Sequence, residues 1–191
     1  MSIHVKDLKD LPRTKDGALS YAGLYKGREL VKGLYIGSVV DSVNRDFFKK
    51  HNIKVVFNCS KDIPFSIPGT VKIRLPVDDS PDEVVHLFNL WKKAVPLMDK
   101  HIRAGRACLI HCRAGQQRSC SSCAAYIMCK KGWSAKKTKA FIKAKKDDAG
   151  WPTWHFARSL TLWEEYLKKH PNLCSPTPNK PTSRAKSPSK K

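Results

Sequence analysis

From Ala107 to Met128 the chain reads ACLIHCRAGQQRSCSSCAAYIM. The opening ACLI is an apolar run of buried-strand length, and SCSSCAAYIM has the small-residue composition of a packed helix. Between them HCRAGQQRS, His111 to Ser119, holds a cysteine, a glycine and two arginines in a loop. A strand that passes through a loop into a helix gathers backbone N–H groups and the positive end of the helix around one point. That geometry makes a pocket for an anion of phosphate size. Gly115 permits the sharp turn that lets the N–H groups of Arg113, Ala114, Gln116 and Gln117 converge. The same field favours a thiolate over a thiol, which makes Cys112 the candidate nucleophile. Arg118 can hold two phosphoryl oxygens in a bidentate fork as charge spreads over them in the transition state. His111 is expected to fix the loop by hydrogen bonding, and the Ser119 hydroxyl to donate to the sulfur and help it leave in a second step. Alone, a buried cysteine is usually a small core residue. His111, Cys112, Gly115, Arg118 and Ser119 in fixed order between a strand and a helix carry the functional reading instead.

Outward from this loop the chain alternates strand and helix patterns. ELVKGLYIGSVV (29–40) reads as a first strand with flanking turns, and DSVNRDFFKKHN (41–52) as a short helix. KVVFNCS (54–60) and VKIRLPV (71–77) are β-branched runs separated by the turn-rich KDIPFSIPGT. SPDE (80–83) marks a helix start, with Ser80 as N-cap, Pro81 in the first turn and Glu83 completing a capping box. An apolar stripe at helical spacing follows to His101. After the loop come three further helical patterns, ending in WPTWHFARSLTLWEEYLKK (151–169). Strands alternating with helices predict an α/β domain with helices flanking a central sheet.

Length and charge bound the rest. A chain of 191 residues suits one domain, here 26–170, with an N-terminal extension (1–25) and a basic Ser/Pro/Lys-rich tail (171–191) that is expected to be disordered. No apolar run is long enough to span a bilayer, and MSIHVKDLKDLPRTKDG lacks the apolar stretch of a secretory signal. The expectation is a soluble intracellular protein of cytoplasm or nucleus, with its seven cysteines reduced. Cys120 and Cys123 have no matching distant pair, so no zinc site is expected. The net charge of +21 attracts polyanions without distinguishing among them: phosphoprotein substrates and, non-specifically, nucleic acid are the expected partners. KKGWSAKKTKAFIKAKK reads as a solvated helical face that could also dock acidic partners. Trp133, Phe141, Trp151, Trp154 and Trp163 read as core.

HC, five residues, then RS resembles the signature loop of cysteine-based phosphatases, and its setting resembles the dual-specificity protein phosphatases over about Lys26 to Lys169. GLYIGSVVDS and KVVFNCS resemble that family's opening strands, and LPVDDSPDE its general-acid loop. PTWHF followed by SL stands in place of PNxxF and QL, with Thr153 and Ser159 replacing Asn and Gln, which puts a supporting hydrogen bond in question. Gln116-Gln117 also resembles phosphatases encoded by large DNA viruses, a setting that would place the protein in a virion or host cell. The resemblance implies a mixed sheet of four to five strands flanked by helices and no metal or other cofactor.

Thiolate attack on a phosphate ester needs a general acid, because the leaving oxygen must be protonated as its bond to phosphorus breaks. Asp78 and Asp79 are both available. The family pattern sets the acid directly before the helix that begins at Ser80, which selects Asp79 with Asp78 as runner-up. Cys59 or Cys108 could trap Cys112 as a disulfide after oxidation. The function implied is hydrolysis of phosphotyrosine and phosphoserine/threonine through a cysteinyl-phosphate. Two alternatives stay open. One is an RNA 5′-phosphatase of the same fold, although such enzymes carry loops typified by HCTHGxNRTG. The other is a basic protein that binds phosphoproteins or nucleic acid without turnover.

Overall fold

A computed structural model of the chain describes residues 27–174. Its centre is one mixed sheet of five strands. β1 (Arg28–Val31) and β2 (Leu34–Gly37) form an antiparallel hairpin. β3 (Ile53–Asn58), β4 (Val71–Arg74) and β5 (Ala107–His111) join β2 in parallel, in the order β1-β2-β5-β3-β4. The stretch 29–40, expected as one strand, is therefore a hairpin running into a helix. Gly33 turns the chain at φ 79°. Ser38 then caps α1 (Val39–Val43) through a capping box with Asp41. The next helical pattern is split in the same way: Asn44 ends α1 and caps α2 (Arg45–Lys50) with its side chain.

The parallel register levels the carboxyl ends of four strands. Gly37 pairs with His111, His111 with Asn58, and Asn58 with Arg74. Loops from four distant stretches of sequence thus open at one edge, where ligands bind in open α/β sheets.

Alternate residues of β5 face opposite layers, as strand geometry requires. Leu109 packs with Tyr35, Phe48, Ile53 and Val56 beneath α2. Cys108 and Ile110 pack on the other face against α3 (Val84–Arg103), α4 (Arg118–Lys131), α5 (Ala135–Lys145) and α6 (Ala157–Lys169). Trp91 of α3 and Trp163 of α6 meet edge to face in this layer. The Trp163 indole donates to the Ala125 carbonyl (2.9 Å), and that of Trp91 to Ser122 Oγ (3.1 Å), which itself donates to the Arg118 carbonyl (2.9 Å). The core thereby grips the first turn of α4, the helix whose N-terminus faces the loop.

Two helix starts differ from expectation. Ser80 caps a 3-10 turn, Pro81–Glu83, by accepting from the Asp82 N–H, but no capping box forms, because Glu83 reaches Lys61 instead (2.7 Å). Residues 151–156 are not helical, and α6 begins only at Ala157. The domain also runs past the expected boundary at 170. Leu173 packs on the core, and Cys174 is buried and disulfide-bonded to Cys129 at the end of α4. The expectation of seven reduced cysteines is corrected by this bond; the pairing joins residues 45 positions apart and has no local signature. The N-terminal extension and the tail beyond Cys174 lie outside the described residues. Among those described, no helix is long and apolar enough to cross a membrane.

Candidate active site

The loop leaves β5 at His111. Gly115 has φ 75°, and a Cβ there would lie 2.7 Å from the Gly37 carbonyl oxygen, so both the conformation and the space require glycine. The Gly115 N–H donates to Cys112 Sγ (3.2 Å), and Ser119 Oγ lies 3.3 Å from the same sulfur. Behind the loop, the Val39 N–H donates to the Arg113 carbonyl (3.0 Å), so the capping box of α1 indirectly fixes the phosphate loop. The Arg113 side chain pairs with Asp62.

Arg118 is only 7% exposed, and its Nη1 donates to the Val77 carbonyl (3.1 Å) and Ser60 Oγ (3.4 Å). The loop bearing Ser60 is braced in turn. Arg74 donates to the carbonyls of Ser60 (2.6 Å) and Ile63 (2.9 Å), and Asn58 Nδ2 donates to Ile63 as well (2.7 Å). A guanidinium held on one edge keeps its fork aimed, which lowers the entropy lost on binding a phosphate.

Asp79 faces this guanidinium, with Oδ2 3.7 Å from Arg118 Nε and Oδ1 3.1 Å from His155 Nδ1. Arg118 and Asp79 thus share one cleft of about 650 Å³ lined also by Lys61, Asp62, Asp78, Trp151 and the loop residues Arg113, Ala114, Gln116 and Gln117, with buried Cys112 at the start of that loop. Trp151, expected in the core, is 54% exposed at its mouth. It follows the left-handed turn at Gly150, and its carbonyl is taken by Gln117, which leaves the indole facing out.

Gln116 and Gln117 tie the phosphate loop to residues 148–155. The Gly150 N–H donates to the Gln116 carbonyl (2.7 Å), and Gln116 Nε2 to Asp148 (3.2 Å), which also pairs with Lys146. Gln117 Nε2 donates to the carbonyls of Trp151 (2.8 Å) and Thr153 (2.7 Å), and its Oε1 accepts the His155 N–H (3.1 Å).

His111 is fully buried at the base of the loop, and its nearest polar partner is the Cys112 backbone, short of full hydrogen-bond geometry. Burial, helped by Arg74 and Arg118 and opposed by a backbone group of Cys112, brings its pKa down to about 4, so the ring is neutral. Of the other cysteines, Cys59, Cys120 and Cys123 are close enough to Cys112 to interact with it electrostatically, and burial pushes Cys123 well up. Burial pushes Cys59 up to about 12 and Cys120 well up, so both are thiols. Cys108 stands four strand positions from Cys112, about 13 Å along the chain at strand rise, which removes it as a trapping partner.

The catalytic-domain family described as "Dual specificity phosphatase, catalytic domain" matches residues 34–166. The chain belongs to this family. It is 31% identical over 149 residues to the dual specificity protein phosphatase Mpk3 of Drosophila melanogaster, covering 75% of this chain and 35% of that protein. With dual specificity phosphatase 28 of Homo sapiens it shares 30% identity over 138 residues, covering 71% of this chain and 76% of that one. The chain thus spans about a third of the length of Mpk3 but three quarters of the human protein. Among solved structures, a mouse putative dual specificity phosphatase complexed with zinc tungstate superimposes with a TM-score of 0.72 at 26% identity, over 81% of this chain and 96% of that one. Human DUSP28 gives 0.67 at 28%, over 74% and 95%.

Within this dual specificity phosphatase domain, the two departures from the PNxxF…QL pattern are accommodated differently. Ser159 Oγ donates to the Val84 carbonyl (2.8 Å) and ties α6 to the start of α3. At Thr153 the backbone carbonyl is used, and Gln117 reaches across from the phosphate loop to take it. The segment is thus held through its backbone by a side chain of the phosphate loop. His155, Trp151 and this use of Gln117 were missed in the sequence. The one available signal was the coincidence of an unusual Gln117 with an unusual Thr153.

Proposed function

We infer that the chain is a protein phosphatase of dual specificity that hydrolyses phosphotyrosine and phosphoserine/threonine through a cysteinyl-phosphate. The observation that carries this reading is that the loop on which Cys112 lies, with its sulfur held by Gly115 and Ser119, lines the same cleft as the Arg118 fork and the Asp79 carboxyl.

In the first step the Cys112 thiolate attacks phosphorus, and the bond to the ester oxygen breaks as that oxygen takes the proton of Asp79. Arg118 and the N–H groups of the loop hold the equatorial oxygens, where negative charge resides in a loose phosphoryl transition state. In the second step water attacks phosphorus, Asp79 accepts its proton, and sulfur leaves with a hydrogen bond from Ser119.

The test is a panel of phosphotyrosine, phosphoserine and phosphothreonine peptides with a 5′-triphosphorylated RNA, combined with rapid acid quench on a ³²P-labelled substrate. The expected result is turnover of the peptides and a labelled protein intermediate that Cys112→Ser removes. Preferential release of phosphate from the RNA, or peptide turnover surviving Cys112→Ser, would overturn the reading.

A further inference from the structure

The two carboxylate oxygens of Asp79 face different partners. Oδ2 looks toward Arg118 Nε at 3.7 Å, on the side of the cleft where a phosphate would sit, and Oδ1 lies 3.1 Å from His155 Nδ1. Besides these contacts, no hydrogen bond or ion pair to Asp79 is present among the described residues. The loop that carries it, between β4 and the turn at Pro81, has no regular structure to fix the side chain. His155 is therefore the group that decides where Oδ1 points.

The imidazole is itself placed with care. Its backbone N–H donates to Gln117 Oε1, and both carbonyls that Gln117 Nε2 contacts belong to the same short segment, at Trp151 and Thr153. A glutamine amide has two N–H groups and a carbonyl, and all are engaged here, so Gln117 is committed to holding this segment. Gln117 directly precedes Arg118. A chain of contacts, Gln117 to His155 to Asp79, thus fixes the acid in the same frame as the phosphate-binding fork.

We propose that His155 is the positioning residue for the general acid, its Nδ1–H donating to Asp79 Oδ1 throughout the cycle. The inference rests on the phosphatase reading above. An N–H donor on Oδ1 excludes a proton from that oxygen, so the carboxyl proton resides on Oδ2, the oxygen beside Arg118 and the bound phosphate. When the P–O bond breaks, the leaving oxygen takes this proton and Asp79 becomes a carboxylate still accepting from His155. When water attacks the cysteinyl-phosphate, its proton returns to Oδ2. His155 gains and loses no proton in either step. A free carboxyl would divide its time among rotamers and present the proton correctly in only some of them, and holding the reacting atoms in line is worth a measurable fraction of the rate.

The leaving group supplies the test, because an acid matters most when the departing oxygen is basic. His155→Ala should slow phenyl phosphate and a phosphoserine peptide by about tenfold or more, while 4-nitrophenyl phosphate falls by less than about threefold. His155→Asn sets an amide N–H where Nδ1 stood and should recover most of the loss. On phenyl phosphate, Asp79→Asn/His155→Ala should be no slower than Asp79→Asn alone, since the acid that His155 positions is already gone. An equal loss on all substrates, an Asn variant as slow as the Ala variant, or additive losses in the double variant would overturn the proposal. These outcomes assume an active wild type. Failure of the wild type on every phosphate ester, or full turnover by Cys112→Ser, would instead overturn the phosphatase reading on which the proposal stands.

Discussion

The carboxylates of Asp78 and Asp79, adjacent in the chain, turn to different partners. Both line the cleft, but the Asp78 side chain is 60% exposed and pairs with Lys61 at 2.6 Å, while Asp79 faces Arg118 and His155. Lys61 also pairs with Glu83 at 2.7 Å, so one lysine holds both Asp78 and the start of the helical stretch that follows. With Asp78 held by Lys61, Asp79 is the carboxylate of the two that faces Arg118.

Asp79→Asn should therefore slow phenyl phosphate by about 10²-fold or more and an activated aryl phosphate far less. Asp78→Asn should stay within about threefold of wild type on both, because an exposed ion pair contributes at most about 1 kcal/mol. Steady-state kinetics across a series of aryl phosphates check this. A leaving-group dependence that appears with Asp78→Asn instead would move the acid by one residue.

At Gly115 the expected cost is both conformational and steric. Gly115→Ala puts a methyl group 2.7 Å from the Gly37 carbonyl oxygen at a φ of 75°. The residue alone costs about 1–2 kcal/mol in that conformation. Relief of the clash must move the loop away from β2, and a displacement of about 1 Å near the reacting sulfur lowers kcat about 10²-fold. Far-ultraviolet circular dichroism and kcat measured together would show a folded, nearly inactive protein; wild-type kcat would mean that the loop tolerates the shift.

Much of this site was legible because its chemistry is compressed into nine residues. His111 to Ser119 carries nucleophile, turn and fork in a local pattern, and β3, β5 and the four long helices follow from apolar periodicity. What escaped depends on partners distant in sequence. Glu83 has the spacing of a capping box, but Lys61 offers an ion pair that a backbone N–H does not match. Trp151 has the composition of a core residue, yet Gln117 holds its backbone with the ring outward. The hairpin at Lys32–Gly33 interrupts an apolar run too briefly to read as a turn. His155 has no meaning until Asp79, 76 positions earlier, stands beside it.

His111 gives the fold an acid sensitivity whose sign follows from its burial. The folded ring is held neutral with a pKa of about 4, against an ordinary 6.5, so the unfolded chain binds the proton more tightly. The stabilising contribution is fully present above pH 6.5 and is lost as pH falls from 6.5 toward 4. That interval corresponds to on the order of 3 kcal/mol. Urea midpoints measured from pH 7 to pH 4.5 should fall more steeply for wild type than for His111→Asn. If the Asn variant does not fold, an NMR titration of the His111 ring in wild type decides the matter, and a midpoint near 6.5 would refute the prediction.

The last prediction concerns the carboxyl end of the domain. Cys129 and Cys174 are bonded across 45 positions, and Leu173 beside them packs on the core. Closing a loop of that length in the unfolded chain is worth about 4 kcal/mol on the chain-entropy account. The five other cysteines are free thiols and buried, so a mild reductant acts on this bond alone among the described residues. Dithiothreitol should lower Tm by many degrees, and Cys174→Ser should show the same lowered Tm with no further response to reductant. Neither change touches Cys112, which lies at the other end of α4 from Cys129, so activity at 25 °C should persist. A chain ending at residue 170 should melt lower than one ending at 174, because it loses Leu173 as well as the bond. Equal melting temperatures for the two truncations, or a wild-type Tm indifferent to dithiothreitol, would mean that residues 171–174 add nothing to the fold.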